Sequence, residues 1–304
     1  MQTPSAGTAP SWTSIPTNWT TVQFAGALPD VIYRYRQIRA DSLETKILSE
    51  IIEETVFLAG MGELNDPDEG RIRWVFDGSE EDIYQFWKRA LREQNSDATR
   101  NDIRKEARER TASIMREQRV VRPSIINEFN SLIDNLARVA CFTANSLNNA
   151  MWSHYGKWVK DSGGGFIEHG GICIEYECGE ARRTLGFGPV SYSQDRPTVN
   201  ILASQHERAL QTVKGLFVKD PSWSYEDEWR MVAFIQAQPP FPQNLTQHSK
   251  LRFEGSVRAV IFGLNTTDKT IQDVESILKA HHCQVPLQRV YRHPSTQKLD
   301  IRPV

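Results

Sequence analysis

Cysteine is scarce in this sequence, and its spacing does not match a structural zinc site. The four cysteines are Cys141, Cys173, Cys178 and Cys283, and no two of them form a Cys-x-x-Cys pair. Structural zinc sites are usually built on such pairs, so we expect no bound metal. Unpaired, reduced thiols are typical of a cytosolic chain, which leads us to expect a cytoplasmic protein.

Long apolar runs are also missing. No segment approaches the roughly 20 apolar residues that a membrane span requires, so we expect no membrane partner. Residues 1–18 are rich in Ser, Thr, Pro and Ala but have neither the basic start nor the apolar stretch of a signal peptide. We therefore interpret residues 1–30 as a flexible N-terminal tail.

Neither charge sign dominates, and no glycine fingerprint of a dinucleotide-binding fold is present. Lys and Arg number 36 against 38 Asp and Glu, and the formal net charge of −2 gives no overall attraction to nucleic acid. The absence of a Gly-x-Gly-x-x-Gly motif disfavours a doubly wound α/β fold. Hydrophobic residues make up 39% of 304 residues, which is enough for a sizeable core.

Strand patterns and helical patterns alternate along the chain. Strands are predicted near residues 31–36, 55–59, 138–143, 172–177, 257–262 and 288–291. Between residues 79 and 138, apolar residues recur every three or four positions among Glu, Arg, Lys and Gln, which predicts several packed helices. We predict an α+β fold with a single domain over residues 31–304, a helical insertion at about 79–138 and a proline-rich turn at 239–242.

The segment 219–234 places ionisable groups in what otherwise reads as a buried strand. From Ser224 onwards the residues alternate, which predicts that Glu226, Glu228 and Arg230 share one strand face. Carboxylates two positions apart on a strand lie roughly 7 Å from each other, close enough to perturb each other's protonation. The segment is a candidate reaction centre. The alternative is a solvated strand face carrying a weakly stabilising Arg230 ion pair.

Further candidate residues lie on an early strand and on a loop. Over residues 31–36, alternation predicts that the Tyr33 side chain points inward and the Arg34 side chain lies on the opposite face. Asn65 and Asp66 precede a proline in a loop with glycine at both ends, which predicts a fixed bend from which they and Glu69 project. The alternative is that Asn65 and Asp66 only stabilise their own loop.

Six short motifs, taken in order, resemble a known bacterial family. They are Tyr33-Arg34-Tyr35, Leu64-Asn65-Asp66-Pro67 with Glu69, Cys141-Phe142-Thr143, Met151-Trp152-Ser153-His154-Tyr155, the strand at 171–176, and the Trp223 to Arg230 segment. Together they resemble the family called domain of unknown function 2971, over about residues 31–265. Asp68 stands where that family usually has phenylalanine.

A more distant resemblance links the chain to ADP-ribosyltransferases of the Arg-Ser-Glu type. The matching positions are Arg34 on an early strand, Thr143 closing a middle strand, and Glu226-Asp227-Glu228 later. This resemblance implies a split mixed or antiparallel sheet with flanking helices and NAD as a substrate. Glu228 would stabilise the oxocarbenium-like ribose and bind its 2′-hydroxyl, and Glu226 would orient or deprotonate the acceptor.

The same resemblance implies roles for the other candidate residues. Arg34 would hold the pyrophosphate by charge-assisted hydrogen bonds. Tyr33, Trp152 or Tyr155 would stack on nicotinamide or adenine, and the alternative for Trp152 and Tyr155 is a place in the core. Thr143, Asn65 and Asp66 would complete the cofactor-binding set, or else serve only as local structural contacts.

The resulting expectation is an ADP-ribosyltransferase-like enzyme that uses NAD to modify a macromolecule, either protein or nucleic acid. The resemblance places such proteins among bacterial toxins and anti-phage defence effectors. Two alternatives remain open. One is a non-catalytic module that binds a nucleotide or nucleic acid through Arg34, Arg36 and aromatic residues. The other is a metal-dependent nuclease using Asp66, Glu69, Glu226 and Glu228, because hard cations prefer oxygen ligands.

Overall fold

A computed structural model describes most of the chain beyond its first residues. The described residues are 28–117, 121, 123–160, 165–178, 186–235, 249–252 and 257–304. Nearly all of the expected N-terminal tail and the whole proline-rich turn at 239–242 lie outside them. Within these ranges, no helix is both long enough and apolar enough to cross a bilayer.

The described chain is a mixed α+β structure, as the sequence patterns predicted. The longer strands are β1 Val31–Arg36, β3 Thr55–Gly60, β5 Ala137–Thr143, β8 Ile172–Glu177, β13 Glu228–Phe234, β15 Val257–Phe262, β16 Leu287–Arg292 and β17 Leu299–Pro303. The shorter strands are β2 Ile38–Arg39, β4 Arg73–Val75, β6 Trp158–Val159, β7 Phe166–Ile167, β9 Phe187–Pro189, β10 Ser191–Tyr192, β11 Thr198–Asn200, β12 Val218–Lys219 and β14 Ser249–Arg252.

The helices flank these strands. They are α1 Leu43–Ile47, α2 Glu80–Gln94, α3 Arg100–Arg116, α4 Pro123–Leu136, α5 Asn149–His154, α6 Gln205–Gly215 and α7 Asp268–Ala280, with a π-helical turn at Leu48–Ile52 and 3₁₀ turns at Ala40–Ser42, Met61–Glu63 and Pro221–Glu226. The predicted helical insertion corresponds to α2, α3 and α4. It ends at Leu136, because Ala137 and Arg138 already belong to β5.

One mixed sheet dominates the fold and divides beside its strand β5. The strand order is β14-β3-β5-β1-β8-β15-β16-β17, and β13 pairs with β5 and with β9. Among the described strand pairs of this sheet, only β15 and β16 are parallel. One edge of β5 pairs with β13 along its whole length, from Glu228↔Thr143 onwards.

The other edge of β5 is shared between two strands. Ala59 and Gly60 of β3 pair near the start of β5, whereas Tyr33 of β1 pairs with Thr143 at its end. Strands β3 and β1 therefore part beside residues 140–142, because neither continues along this stretch of β5. The sheet is open at this point.

Hydrophobic cores cover both faces of the sheet. On one face, Phe142, Met231 and Ile32 pack with residues of α1 and α7. On the other face, the helices of the insertion pack against alternate residues of the same strands, such as Val139 and Val232. The insertion starts where Ser79 caps α2, since its side chain accepts a hydrogen bond from the Asp82 backbone N–H. The insertion thus shares its core with the sheet.

Candidate functional site

A cavity of about 240 Å³ lies at the opening in the sheet. Its walls come from β1, β3, β5, the 3₁₀ turn after β3 and the loop that follows it, α5, β12 and the start of β13. Among its lining residues are six that the sequence suggested for ligand binding or catalysis: Tyr33, Arg34, Asn65, Tyr155, Glu226 and Glu228.

The two central glutamates reach the cavity from different elements, which corrects the prediction that they share a strand. Glu226 ends the 3₁₀ turn Pro221–Glu226, and Asp227 then adopts a left-handed conformation with φ of 45°. The turn is favoured because Pro221 lies at its first position and the Asp220 side chain caps it by accepting from the Ser222 N–H at 2.8 Å. The strand begins only at Glu228.

Glu228 and Arg230 do share a strand face, as predicted, but that face is buried. Arg230 donates from Nε to Glu228 Oε1 at 2.7 Å and from Nη2 to Oε2 at 2.9 Å, and the two residues are 0% and 3% exposed. Burial alone would raise the pKa of Glu228, but Arg230 and then Lys219 outweigh it and lower this pKa. The alternative interpretation of a solvated ion pair is therefore wrong, because this pair is desolvated, and breaking it has larger energetic consequences.

Lys219 lies at the centre of the acidic cluster. Its Nζ lies 2.6 Å from Glu226 Oε2, 3.2 Å from Glu228 Oε2 and 3.6 Å from Glu69 Oε2. The ammonium also lies 4.7 Å from the centre of the Trp223 ring. Burial would lower the pKa of Lys219, but the surrounding carboxylates raise it above its usual value, so the side chain remains charged.

The remaining oxygen of Glu226 accepts a hydrogen bond from the Tyr155 hydroxyl at 2.5 Å. Burial, followed by the neighbouring Glu226, raises the pKa of Tyr155 above its usual value, so the hydroxyl stays a donor. We define Glu69, Glu226, Glu228, Lys219 and Arg230 as the acidic end of the cavity. Three carboxylates against two cations leave it one net negative charge, counting each carboxylate as ionised.

The guanidinium of Arg34 also lines the cavity. Its Nη2 donates to the Phe57 carbonyl of β3 at 2.8 Å, which bridges the opening between β1 and β3. Arg34 is only 7% exposed, and its buried Nη1 has no hydrogen-bond partner among the described residues. Burial and then the nearby Arg36 lower the pKa of Arg34, and the Glu50 carboxylate only partly offsets them.

Arg34 and Glu228 start on opposite faces of the sheet but line the same cavity. Tyr33 pairs with Thr143, and Thr143 pairs with Glu228, so these three side chains share one face. Arg34 follows Tyr33 in a regular strand and therefore points to the other face. The opening between β3 and β1 joins the two faces, which explains how one cavity contacts both residues.

Three of the suggested residues do not line the cavity. The Thr143 side chain is buried and accepts a hydrogen bond from the Asn145 N–H at 3.1 Å. Asp66 is also buried, and it accepts from the Asp68 N–H at 2.9 Å within its own loop. Trp152 is fully buried and donates from Nε1 to the Ser146 carbonyl at 2.9 Å. These contacts match the structural alternatives for all three.

Sequence reasoning gave no role to Lys219 and expected Glu69 to project from its loop. Glu69 instead points inward, with Oε1 2.7 Å from Arg230 Nη1. Burial raises its pKa, and Arg230 and Lys219 only partly offset this effect. The Asn-Asp-Pro bend and the lysine before the acidic segment were visible in the sequence. The contact between Lys219 and Glu69 depends on how β12 and the loop after β3 pack together.

The described residues contain no group of three or more His, Cys, Asp or Glu side chains arranged to hold a metal ion. Comparison with known proteins adds no assignment: no protein-family model, curated protein or solved structure matches the chain. The two resemblances seen in the sequence therefore stay predictions, and the site is interpreted from its own geometry.

Proposed function

We propose that this protein is an ADP-ribosyltransferase-like enzyme that uses NAD to modify a macromolecule. One observation carries the proposal: a single cavity is lined both by a cluster of carboxylates and by a buried guanidinium, one nitrogen of which has no hydrogen-bond partner among the described residues. Such a cavity is complementary to a molecule with a cationic ring and an anionic phosphate. By resemblance, the acceptor is a protein or nucleic acid in the setting of a bacterial toxin or anti-phage effector.

The strand arrangement supports an ADP-ribosyltransferase-like split sheet. The three positions that carry the resemblance lie on three adjacent strands, with Arg34 on β1, Thr143 on β5 and Glu228 on β13. Tyr33, Thr143 and Glu228 also form one row across these strands. The opening beside β5 provides space for a ligand within the sheet.

The acidic end suits the charge that develops when the bond between nicotinamide and ribose breaks. The bonding electrons leave with nicotinamide, so positive charge grows on the ribose, and a fixed negative cluster stabilises it. Glu228 and Glu226 supply this field together with Glu69. The acceptor attacks the ribose carbon that nicotinamide leaves, and its proton passes to Glu226.

The rest of the cavity could bind part of NAD. Its volume of about 240 Å³ is below the roughly 300–1,000 Å³ of pockets that enclose a whole ligand, so it would take one end of the dinucleotide. Tyr33 and Tyr155 offer aromatic faces near the carboxylates for the nicotinamide ring. Arg34 would hold the pyrophosphate with its free N–H.

The experiment is calorimetric titration with NAD, together with assays of nicotinamide release and of transfer of labelled ADP-ribose. We expect Glu228→Gln to lower the rate of release by about 10²–10³-fold, the effect of removing one electrostatic contact to a transition state. Glu177→Gln on β8, with a half-exposed side chain, is the matched control. Because Glu228 is buried, Glu226→Gln provides a second test if the first variant does not fold. A wild-type protein that neither binds nor cleaves NAD would overturn the proposal.

One observation favours a second candidate function. Both carboxylate oxygens of Glu228 already accept from Arg230, which is typical of a structural ion pair. A non-catalytic module that binds a nucleotide or nucleic acid through Arg34 would need no free carboxylate. Salt-dependent binding of nucleotides or oligonucleotides without turnover, unchanged in Glu228→Gln, would support this candidate instead.

A further inference from the structure

Lys219 connects carboxylates that come from two separate parts of the chain. Its Nζ lies within 4 Å of Glu226 at the end of a 3₁₀ turn, Glu228 at the start of β13 and Glu69 in the loop after β3. Lys219 itself belongs to β12, which pairs with β10. Among the described strand pairs, none joins Glu69 to the segment that carries Glu226 and Glu228, and Lys219 and Arg230 lie between these carboxylates.

The two cations of the acidic end divide the carboxylates unequally. Arg230 pairs with Glu228 through Nε and with Glu69 through Nη1, and Nη1 also donates to the Leu216 carbonyl. The ion pair of Glu226 within the described chain is with Lys219. Its other polar contact, the Tyr155 hydroxyl, is neutral. Glu226 therefore depends on Lys219 for the compensation of its charge.

We propose that Lys219 is a positioning residue that balances the charge of the Glu226 carboxylate and directs it into the cavity. This inference rests on the proposed function, since it assigns the group that prepares Glu226 for proton transfer. Lys219 does not act as a nucleophile, because a protonated ammonium has no free electron pair. Trp223 covers the ammonium and restricts its access to water.

The geometry also indicates what happens when the ammonium is removed. In Lys219→Met, three carboxylates would face only Arg230, so their mutual repulsion increases and the cluster takes up a proton more readily. Lys219→Arg would keep the charge. A merely structural lysine would instead affect the amount of folded protein without changing how activity depends on pH.

The first test measures nicotinamide release from NAD as a function of pH for the wild type, Lys219→Met and Lys219→Arg. We expect Lys219→Met to lower kcat by about 10- to 100-fold, the loss of a charge-assisted hydrogen bond, and to move the acid limb of the profile to higher pH. Lys219→Arg should recover the position of that limb. Lys214→Met, on the exposed side of α6, is the matched control. An acid limb that stays in place in Lys219→Met overturns the proposal.

The second test does not require enzyme activity. Protein labelled with ¹³C at glutamate carboxyl carbons is titrated by NMR, and the Glu226 signal is identified by its loss in Glu226→Gln. We expect this signal to titrate at higher pH in Lys219→Met than in the wild type, and an unchanged titration contradicts the inference. If the wild type does not cleave NAD, the proposed function fails while this titration still decides the role of Lys219. Lys219→Gln, a neutral donor, replaces Lys219→Met if the latter does not fold.

Discussion

Arg230 binds Glu228 through two parallel hydrogen bonds in an environment that excludes water. The pair lies two residues apart on one strand, and Arg230 also contacts Glu69 and the Leu216 carbonyl. A buried ion pair of this kind contributes modestly when intact, because burial costs each ion its hydration. Removing one member of the pair is costly, because the other member is left buried, charged and unpaired.

Arg230→Met should therefore destabilise the fold strongly. It leaves Glu228 and Glu69 with only Lys219, and we expect the free energy of unfolding to fall by about 3–5 kcal/mol. Urea denaturation followed by circular dichroism measures this change. The matched control is Arg258→Met, which removes another strand arginine from an ion pair at the same 2.7 Å distance but on the surface. Equal effects of the two substitutions would show that burial does not govern the energetics of Arg230.

Substitution of Arg34 should weaken ligand binding while leaving the stability of the fold nearly unchanged, in contrast to Arg230→Met. Its guanidinium is buried with an unsatisfied N–H, so Arg34→Met removes an uncompensated charge along with the hydrogen bond to Phe57. We expect unfolding free energy to stay within about 1 kcal/mol of the wild type or to rise. The affinity for NAD should fall at least about tenfold, equivalent to about 1.4 kcal/mol, with a weaker dependence on salt. Calorimetric titration at low and high salt measures this.

The control for Arg34 is Arg39→Met on β2, whose side chain is exposed and paired with Asp41. It should change neither affinity nor salt dependence. An Arg34→Met protein that binds NAD as the wild type does would remove the phosphate role from Arg34, whatever its stability.

Local sequence signals predicted several features of the fold and the site. The capping pattern at Ser79 and the helical spacing of Ile83 and Trp87 identify α2, and alternation identifies β8. The pairing of Glu228 with Arg230 also follows from local sequence, because residues two apart on a strand share a face. These features depend on neighbours along the chain, which is why the sequence is informative about them.

Other features depend on which strands meet, and local patterns do not contain that information. The opening beside β5 arises because β3 and β1 each pair with only part of one edge. Lys219 and Glu69 are distant in sequence and meet only through the packing of their loops. Alternation predicts a strand at Glu226 because the pattern continues through the 3₁₀ turn, where the proline and the aspartate cap determine the backbone instead.

Lys46 should give the protein a stability that increases in mild alkali. Burial, and then Arg36, lower the pKa of Lys46 to about 8 in the folded state. Between this value and the usual lysine pKa, the unfolded chain holds a proton that the folded protein has released. The free energy of unfolding therefore rises with pH in this interval. Below pH 8 Lys46 is protonated in both states, so the folded protein carries the full cost of burying a charged lysine.

Lys46→Met should remove this dependence. We expect the difference in unfolding free energy between the wild type and the variant to change by about 1–3 kcal/mol from pH 7 to pH 10. Urea denaturation at a series of pH values measures it, with the exposed Lys214→Met as control. A constant difference across that range would mean that Lys46 titrates alike in both states.

Trp152 and Tyr155 lie on or beside the same short helix, yet substitutions of each by phenylalanine should act differently. Trp152 is fully buried outside the cavity, and its Nε1 bonds to the Ser146 carbonyl. Trp152→Phe should lower unfolding free energy by about 1–3 kcal/mol through the lost hydrogen bond and volume, while the folded protein binds NAD normally.

Tyr155→Phe removes the donor to Glu226 from the cavity wall. It should cost at most about 1.5 kcal/mol of stability but slow nicotinamide release by about tenfold. Denaturation and release assays on both variants separate these effects, and a Trp152→Phe protein with wild-type stability and weakened NAD affinity would instead identify Trp152 as a ligand contact.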